Sequence, residues 1–204
     1  TETMLITAGV DSSRDSQGFL MNRQRATNSL NFTSVVEDGV IGHDYASLDS
    51  VINNDVFSIG CWFKPRLLGQ FQYLLDNREA SDAGWILYSD TNNNINFKIG
   101  DGTDTLVLDT GANIALDTWV YIVITYAGSA GLVSTYINGA ATATGTATDV
   151  GNQSLITNPL SIGKTFGSDT NGVQGELDDL VIYSDVLGAT EVTRNYNAGK
   201  RSHR

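Results

Sequence analysis

Two carboxylates in the last fifth of the chain come closest to a catalytic set. Glu176 and Asp178 lie in segment 176–180, which reads Glu-Leu-Asp-Asp-Leu, and an extended strand would place both on one face. A pair of carboxyl groups can hydrolyse a glycosidic bond, one as nucleophile and the other as acid/base. The next residue on that face is Leu180, so we favour a structural role for Asp178 and Asp179, in which they bond backbone groups or a neighbouring turn.

Other residue types that support catalysis or bind metals are scarce. Cys61 is the single cysteine of the chain, which forbids an intrachain disulfide and a cysteine-based metal site. Its apolar surroundings predict a small buried core residue. The two histidines, His43 and His203, lie in a loop-like stretch and in the tail. We expect both to be exposed to solvent, and we find little support for a nucleophilic triad.

A polar loop next to an aromatic residue offers a different chemistry, the binding of sugars. Residues 90–94 read Asp-Thr-Asn-Asn-Asn and follow Tyr88 closely. Sugar sites combine an exposed aromatic ring with Asp, Asn and backbone donors, although the same residue types also build turns. The predicted glycan-binding residues are Tyr88, Asn92, Asn93 and Asn94, with Tyr73 as a possible rim residue. We expect Trp62, Trp85 and Trp119 to pack in the core.

Composition and charge exclude several classes of protein. The 204 residues include 12 basic and 23 acidic ones, for a net charge of −11, so the chain lacks the basic surface that nucleic-acid binding requires. It contains no run of about 18 apolar residues, which predicts no membrane insertion, and no secretory signal is visible. Hydrophobic residues make up 41%, enough for one large domain, and abundant Thr, Val, Ile and Tyr favour strands.

The charge is unevenly distributed along the chain. Residues 31–193 hold 20 acidic and five basic residues, whereas residues 194–204 hold four basic and no acidic ones. A basic tail beside an acidic body is either solvated or docks on an acidic partner.

Short strands separated by turn residues must position these side chains. Residues 56–65 form a strong strand that ends at Pro65, and residues 119–126 are apolar on both faces, which predicts a central strand. Asn138-Gly139 is a hairpin signal, and Glu191–Tyr196 is the only plausible helical stretch. The other predicted strands cover residues 28–33, 71–76, 85–89, 95–99, 105–109, 132–137, 140–148, 160–163 and 177–183. This pattern is typical of an all-β sandwich or jelly roll.

Several of these segments, in order, resemble the laminin-G-like modules of the concanavalin A-like lectin/glucanase superfamily. The segments that carry the resemblance are Phe57–Pro65, Gly84–Leu87, Trp119–Tyr126, Tyr136–Gly139, Leu160–Gly163 and Gly175–Tyr183. The resemblance spans residues 28–197. It implies an all-β fold, a two-sheet antiparallel jelly-roll sandwich with a short C-terminal helix. An extended N-terminal arm would cover residues 1–27, and a basic C-terminal tail residues 198–204.

The resemblance also bears on cofactors and activity. Members of this superfamily often bind one calcium ion near the loop rim through carboxylate and backbone oxygens. Acidic turns could supply such ligands here, and Asp101 and Asp104 are the candidate residues for a possible calcium site. The glucanases of the superfamily use a Glu-x-Asp-x-Glu strand, and Leu180 replaces its second glutamate. We therefore predict that the protein is not an enzyme, and a glycoside hydrolase is the least favoured reading.

The leading functional prediction is a non-catalytic structural or attachment protein of a larger assembly. A single charge-poor module with distinct ends and no catalytic set is typical of a phage or virus virion component, such as a capsid decoration or tail protein. Its predicted partners are other protein subunits, most simply further copies of the chain, and glycans, at the virion surface. The alternative is an extracellular carbohydrate-binding or adhesion module.

Overall fold

The computed structural model describes residues 3–6, 29–32, 40–41, 56–79, 82–147, 150, 158–165 and 170–204. The strands are β1 Thr3–Ile6, β2 Leu30–Phe32, β3 Val40–Ile41, β4 Val56–Pro65, β5 Gln72–Asp76, β6 Gly84–Ser89, β7 Asn94–Gly100, β8 Thr105–Asn113, β9 Val120–Ala127, β10 Leu132–Ile137, β11 Ala140–Thr146, β12 Ser161–Ile162 and β13 Gly175–Tyr183. A 3₁₀ turn covers Gly128–Ala130, and helix α1 covers Ala189–Gly199.

These strands form two antiparallel sheets. Sheet I has the order β1-β13-β4-β9-β10-β11, with β2 also paired to β13, and sheet II has the order β3-β12-β5-β6-β7-β8. The main core consists of buried side chains from both sheets, which therefore pack face to face. The predicted all-β sandwich is confirmed. Among the residues that the structure describes, no helix has the length and apolarity needed to cross a bilayer.

The two strongest predicted strands are central in sheet I, where β4 pairs with both β13 and β9. Cys61 and Phe63 of β4 face the main core. Trp62 lies between them in sequence and belongs to a second buried cluster on the opposite face of the sheet. Because both faces of β4 and β9 are covered, these strands are apolar without alternation. Cys61 is 1% exposed, which confirms its predicted burial.

Turn residues fix the connections as the sequence indicated. Asn138 and Gly139 both have positive φ, 52° and 83°, the conformation that a two-residue hairpin needs. The side-chain oxygen of Asn138 also accepts a 3.0 Å hydrogen bond from the backbone N–H of Tyr121. This turn joins β10 to β11 and ties both to β9.

Near the two ends of the chain, the structure describes a strand and a helix. Thr3–Ile6, in the stretch predicted to be an arm, pairs with residues 180–183 of β13 as an edge strand; the rest of residues 1–27 lies outside the described residues. Helix α1 is 11 residues long and exceeds the predicted Glu191–Tyr196 at both ends. Glu191 accepts a 3.0 Å hydrogen bond from the N–H of Gly188, so the helix start has a side-chain partner although Gly188 itself has none to offer.

Candidate functional site

The outer face of sheet II carries a row of side chains that crosses four strands. The members of this row, aligned by the antiparallel register, are Tyr73, Tyr88, Asn96 and Asp109. Leu87 and Phe97, the neighbours of Tyr88 and Asn96 along their strands, are buried in the main core. Because successive side chains of a strand point to opposite faces, the row faces away from that core. We call it the Tyr88 row. A ligand on this face would touch side chains from β5, β6, β7 and β8.

An aromatic patch lies at one end of the row. Tyr73 meets Tyr88 edge to face with ring centroids 6.0 Å apart, and the ring of Phe71 lies 6.2 Å from that of Tyr88. Phe71 is 43% exposed. Burial raises the pKa of Tyr88, and the charge of Asp90 adds to the effect, so its hydroxyl is neutral and able to donate. In the described part of the chain, neither tyrosine hydroxyl has a hydrogen-bond partner.

An ion network lies beside the aromatic patch on the same face. Arg78 donates to Asp76 through Nε and Nη2, both at 3.0 Å, and its Nη1 lies 3.2 Å from Asp82 Oδ1. Lys98 Nζ lies 2.8 Å from Asp82 Oδ2, and this hydrogen bond lowers the pKa of Asp82. The Arg78 guanidinium also lies over the Tyr73 ring, 5.4 Å from its centroid. The ion network therefore borders the aromatic patch at Tyr73.

Of the three asparagines predicted to bind glycans, Asn92 and Asn93 lie in the turn between β6 and β7, and Asn94 is the first residue of β7. Asn93 has φ 68°, and its side-chain oxygen accepts a 2.6 Å hydrogen bond from Gly69 N–H, which ties the turn to the loop before β5. Asn94 Oδ1 lies 3.5 Å from Asn113 Nδ2. Asn92 is exposed. Asn93 thus supports the loop structure, whereas the side chain of Asn92 is exposed in the turn, and glycan binding by these asparagines stays a prediction.

Asp90 organises this turn and connects it to the Tyr88 row. Its Oδ1 accepts hydrogen bonds from the backbone N–H groups of Asn92 and Asn94 at 2.8 and 2.9 Å. Its Oδ2 accepts one from Asn96 Nδ2 at 3.2 Å. The sequence pointed to Tyr88 and the turn, but it did not single out Asn96 and Asp109, since their place beside Tyr88 depends on strand register.

The candidate calcium residues form a different turn, between β7 and β8. Asp101 Oδ1 accepts hydrogen bonds from the N–H groups of Thr103 and Asp104, both at 2.8 Å, as an aspartate that caps its own turn does. Within the described ranges, no group of three or more His, Cys, Asp or Glu residues is placed to hold a metal ion. Calcium binding at Asp101 and Asp104 stays a prediction.

The two carboxylates that could have formed a hydrolase pair have structural partners. Glu176 accepts hydrogen bonds from Ser29, Lys64 and Arg66 at 2.8, 3.1 and 2.7 Å. Burial alone would raise the pKa of Glu176, but these hydrogen bonds outweigh it and the pKa is lowered. A carboxyl with a lowered pKa is ionised at neutral pH and cannot act there as the general acid.

Asp178 belongs to a cluster of side chains on the outer face of sheet I. Its Oδ2 lies 3.1 Å from His203 Nε2, and the imidazole stacks on Trp62 with centroids 4.2 Å apart and planes 5° apart. Trp119 meets the same ring edge to face at 4.8 Å. His203 is 7% exposed, so its predicted exposure is wrong: the turn after α1 folds back onto the sheet. Trp62 is buried as expected, but here rather than between the sheets; His43 lies outside the described residues.

The sequence of the chain matches the model of one protein family. A laminin G family model, described as the concanavalin A-like lectin/glucanases superfamily, matches residues 38–193. The chain belongs to this family. The resemblance carried by its strand motifs is thereby confirmed. Comparison with curated protein sequences found no match.

Solved structures share the fold at low sequence identity. The CBM40 of the Ruminococcus gnavus IT-sialidase, bound to α2,3-sialyllactose, has a TM-score of 0.70 and 17% identity, covering 82% of this chain and 95% of that one. The binding domain of Paraclostridial Mosquitocidal Protein 1 gives 0.71 and 20%, covering 95% and 52%. The binding domain of Botulinum Neurotoxin DC, in complex with SialylT, gives 0.61 and 15%, covering 78% and 39%.

Proposed function

We propose that the protein is a non-catalytic carbohydrate-binding module whose binding surface is the Tyr88 row and its aromatic patch. The carrying observation is the cluster of Phe71, Tyr73 and Tyr88 on an outer sheet face, bordered by amide and carboxylate groups. A sugar ring offers C–H groups that pack on aromatic faces and hydroxyls that need both donors and acceptors. The neutral hydroxyl of Tyr88 supplies a donor, and the exposed Asp109, two strands away, supplies acceptors.

The relatives support this proposal in kind. They include a CBM40 bound to sialyllactose and the binding domains of Paraclostridial Mosquitocidal Protein 1 and Botulinum Neurotoxin DC. An extracellular setting fits the same picture. The engagement of Glu176 by two cations and a serine supports the absence of hydrolase activity from this strand.

A glycan array followed by isothermal titration tests the proposal. We expect the full chain to bind at least one glycan class and the Tyr88→Ala variant to bind it at least about tenfold more weakly, because a buried aromatic contact dominates small interfaces. Tyr183→Ala is the matched control, since Tyr183 is also a half-buried strand tyrosine but packs on the outer face of sheet I. No binding to any glycan, or equal loss in both variants, would overturn the proposal.

The assembly role predicted from the sequence, as a virion component built with further copies of the chain, stays a prediction. Its support is the contrast between the acidic sandwich and the basic residues 194–204. Light scattering coupled to size exclusion at two ionic strengths would test it: a charge-driven oligomer should dissociate as salt rises. A monomer at every salt concentration would contradict self-association.

A further inference from the structure

We infer that the ligand of the Tyr88 row is a neutral glycan and that sugars carrying a carboxylate, such as terminal sialic acid, are rejected. The inference rests on the proposed function, because it names the ligand class of the same surface. It departs from the ligand of one structural neighbour, since the CBM40 of the Ruminococcus gnavus IT-sialidase is bound to α2,3-sialyllactose. The cations and anions of this face lie where they favour a neutral ligand.

The cations on the described part of this face are already engaged. Arg78 directs Nε and Nη2 to Asp76 and Nη1 to Asp82, so each of its three guanidinium nitrogens faces a carboxylate. Asp76 is only 2% exposed. An anionic sugar that captured Arg78 would strand the buried Asp76 charge without its partner, a costly state.

Lys98 offers no alternative anchor. Its ammonium group lies 2.8 Å from Asp82 Oδ2, and Asp82 is shared with Arg78. The two cations therefore face two carboxylates in a closed network, and a ligand carboxylate would compete with both acids at once. Arg78 lies over Tyr73 and its charge acts to lower the pKa of Tyr88, but the network of two cations and two carboxylates has no net positive charge to offer an anionic ligand.

Two further carboxylates border the Tyr88 row. Asp90 lies at the rim and bonds Asn96, and Asp109 pairs with Asn96 across β7 and β8. After the larger effect of burial, both charges act to raise the pKa of Tyr88, while the charge of Arg78 acts to lower it. Both acids are therefore close enough to act on a ligand at that ring. Neither acid forms an ion pair with another residue in the described ranges. The row thus presents hydrogen-bond acceptors and a negative potential, which suits hydroxyl donors and repels a carboxylate.

Paired glycans test the inference directly. Immobilised lactose and 3′-sialyllactose on the same linker are offered to the full chain, and dissociation constants are measured at low and at high salt. We expect the sialylated member to bind at least about tenfold more weakly at low salt, and the ratio to shrink as salt screens the carboxylates. If lactose is not the neutral sugar of this site, the same comparison is made with any neutral glycan found on the array and its sialylated form.

A matched pair of variants isolates the charge. Asp109→Asn keeps the Oδ1 that accepts a 2.8 Å hydrogen bond from Gly111 N–H. This variant should reduce the ratio of the dissociation constants for the sialylated and the neutral glycan about two- to fivefold. Asp185→Asn makes the same charge change at an exposed residue between β13 and α1, whose Oδ1 likewise accepts from a backbone N–H, and should leave the ratio of dissociation constants unchanged.

The outcomes separate this inference from the proposed function. Preferred binding of the sialylated member overturns the inference and leaves a glycan-binding module. A preference for the neutral member that neither salt nor Asp109→Asn affects also overturns it, since the stated cause would be absent. Absence of binding to both members and to every other glycan overturns the proposed function, and the inference with it.

Discussion

His203 should make the stability of the protein fall as the pH rises above about 6.5, the ordinary pKa of histidine. Its Nδ1 lies 2.9 Å from the Gly199 carbonyl oxygen and its Nε2 3.1 Å from Asp178 Oδ2. Both partners are acceptors, so both ring nitrogens donate only when the imidazole is protonated. Burial alone would lower the pKa of His203, but the hydrogen bonds to Asp178 and Gly199 and the charges of Asp178 and Asp179 outweigh it, and the pKa is raised.

The direction of the effect follows from proton linkage. Between the ordinary histidine pKa of 6.5 and the raised value, the folded protein binds more protons than the unfolded chain, so the free energy of unfolding falls as pH rises. The full stabilisation is present below about pH 6.5 and is lost as pH passes the raised pKa. One proton gives a slope of at most about 1.4 kcal/mol per pH unit.

The size of the effect follows from the contacts of the ring. The side chain is 2% exposed and that of Asp178 is 19% exposed, so solvent screens the pair little. A hydrogen bond to a charged group contributes about 1.5–3 kcal/mol, and the stack on Trp62 adds about 0.5–1.5 kcal/mol. We therefore expect His203→Gln to lower the free energy of unfolding by about 2–4 kcal/mol at pH 6, and by less at pH 9.

Urea denaturation followed by tryptophan fluorescence at pH 6, 7, 8 and 9 measures this dependence. The wild type should lose stability across the series relative to His203→Gln, whereas His43→Gln, which removes the only other histidine, should behave as the wild type does. Nuclear magnetic resonance titration of the two imidazoles gives the protonation directly. The reasoning is refuted if His203→Gln retains the pH dependence of the wild type, or if the His203 ring titrates at or below the ordinary histidine value.

Two further predictions concern the core. Burial raises the pKa of the Cys61 thiol to about 12, so an alkylating reagent at pH 8 should leave native protein unmodified and react once urea unfolds it; rapid reaction of the folded protein would contradict the burial. Gly163 has φ 80°, and a Cβ there would overlap the ring of Phe32. Gly163→Ala should therefore cost roughly 2–4 kcal/mol of stability by denaturation, whereas Gly111→Ala, with φ 72° and open space around it, should cost only the smaller backbone strain.

The strands and turns were predictable because their signals are local. Residues 132–137 were predicted as a strand with the bounds that the structure gives β10, since a short apolar run before Asn-Gly leaves little choice of register. Pro65 likewise ended β4 as expected. By contrast, the weak pattern of Thr3–Ile6 did not predict a strand, and this segment acquires its pairing from β13, about 180 residues away along the chain.

The candidate site likewise combines features that the local sequence predicted with features that depend on the tertiary structure. The sequence by itself determined an acidic, all-β sandwich of the laminin-G-like type, with a buried Cys61, and it marked Tyr88 and the Asn-rich turn as the place where a sugar could bind. Only the tertiary structure decided which side chains stand beside Tyr88, because strand register brings Asn96 and Asp109 to its row. It also decided that Arg78 is engaged by Asp76 and that His203 is buried against Trp62. Contacts of this kind join residues distant in sequence, and no local pattern of residue types specifies them.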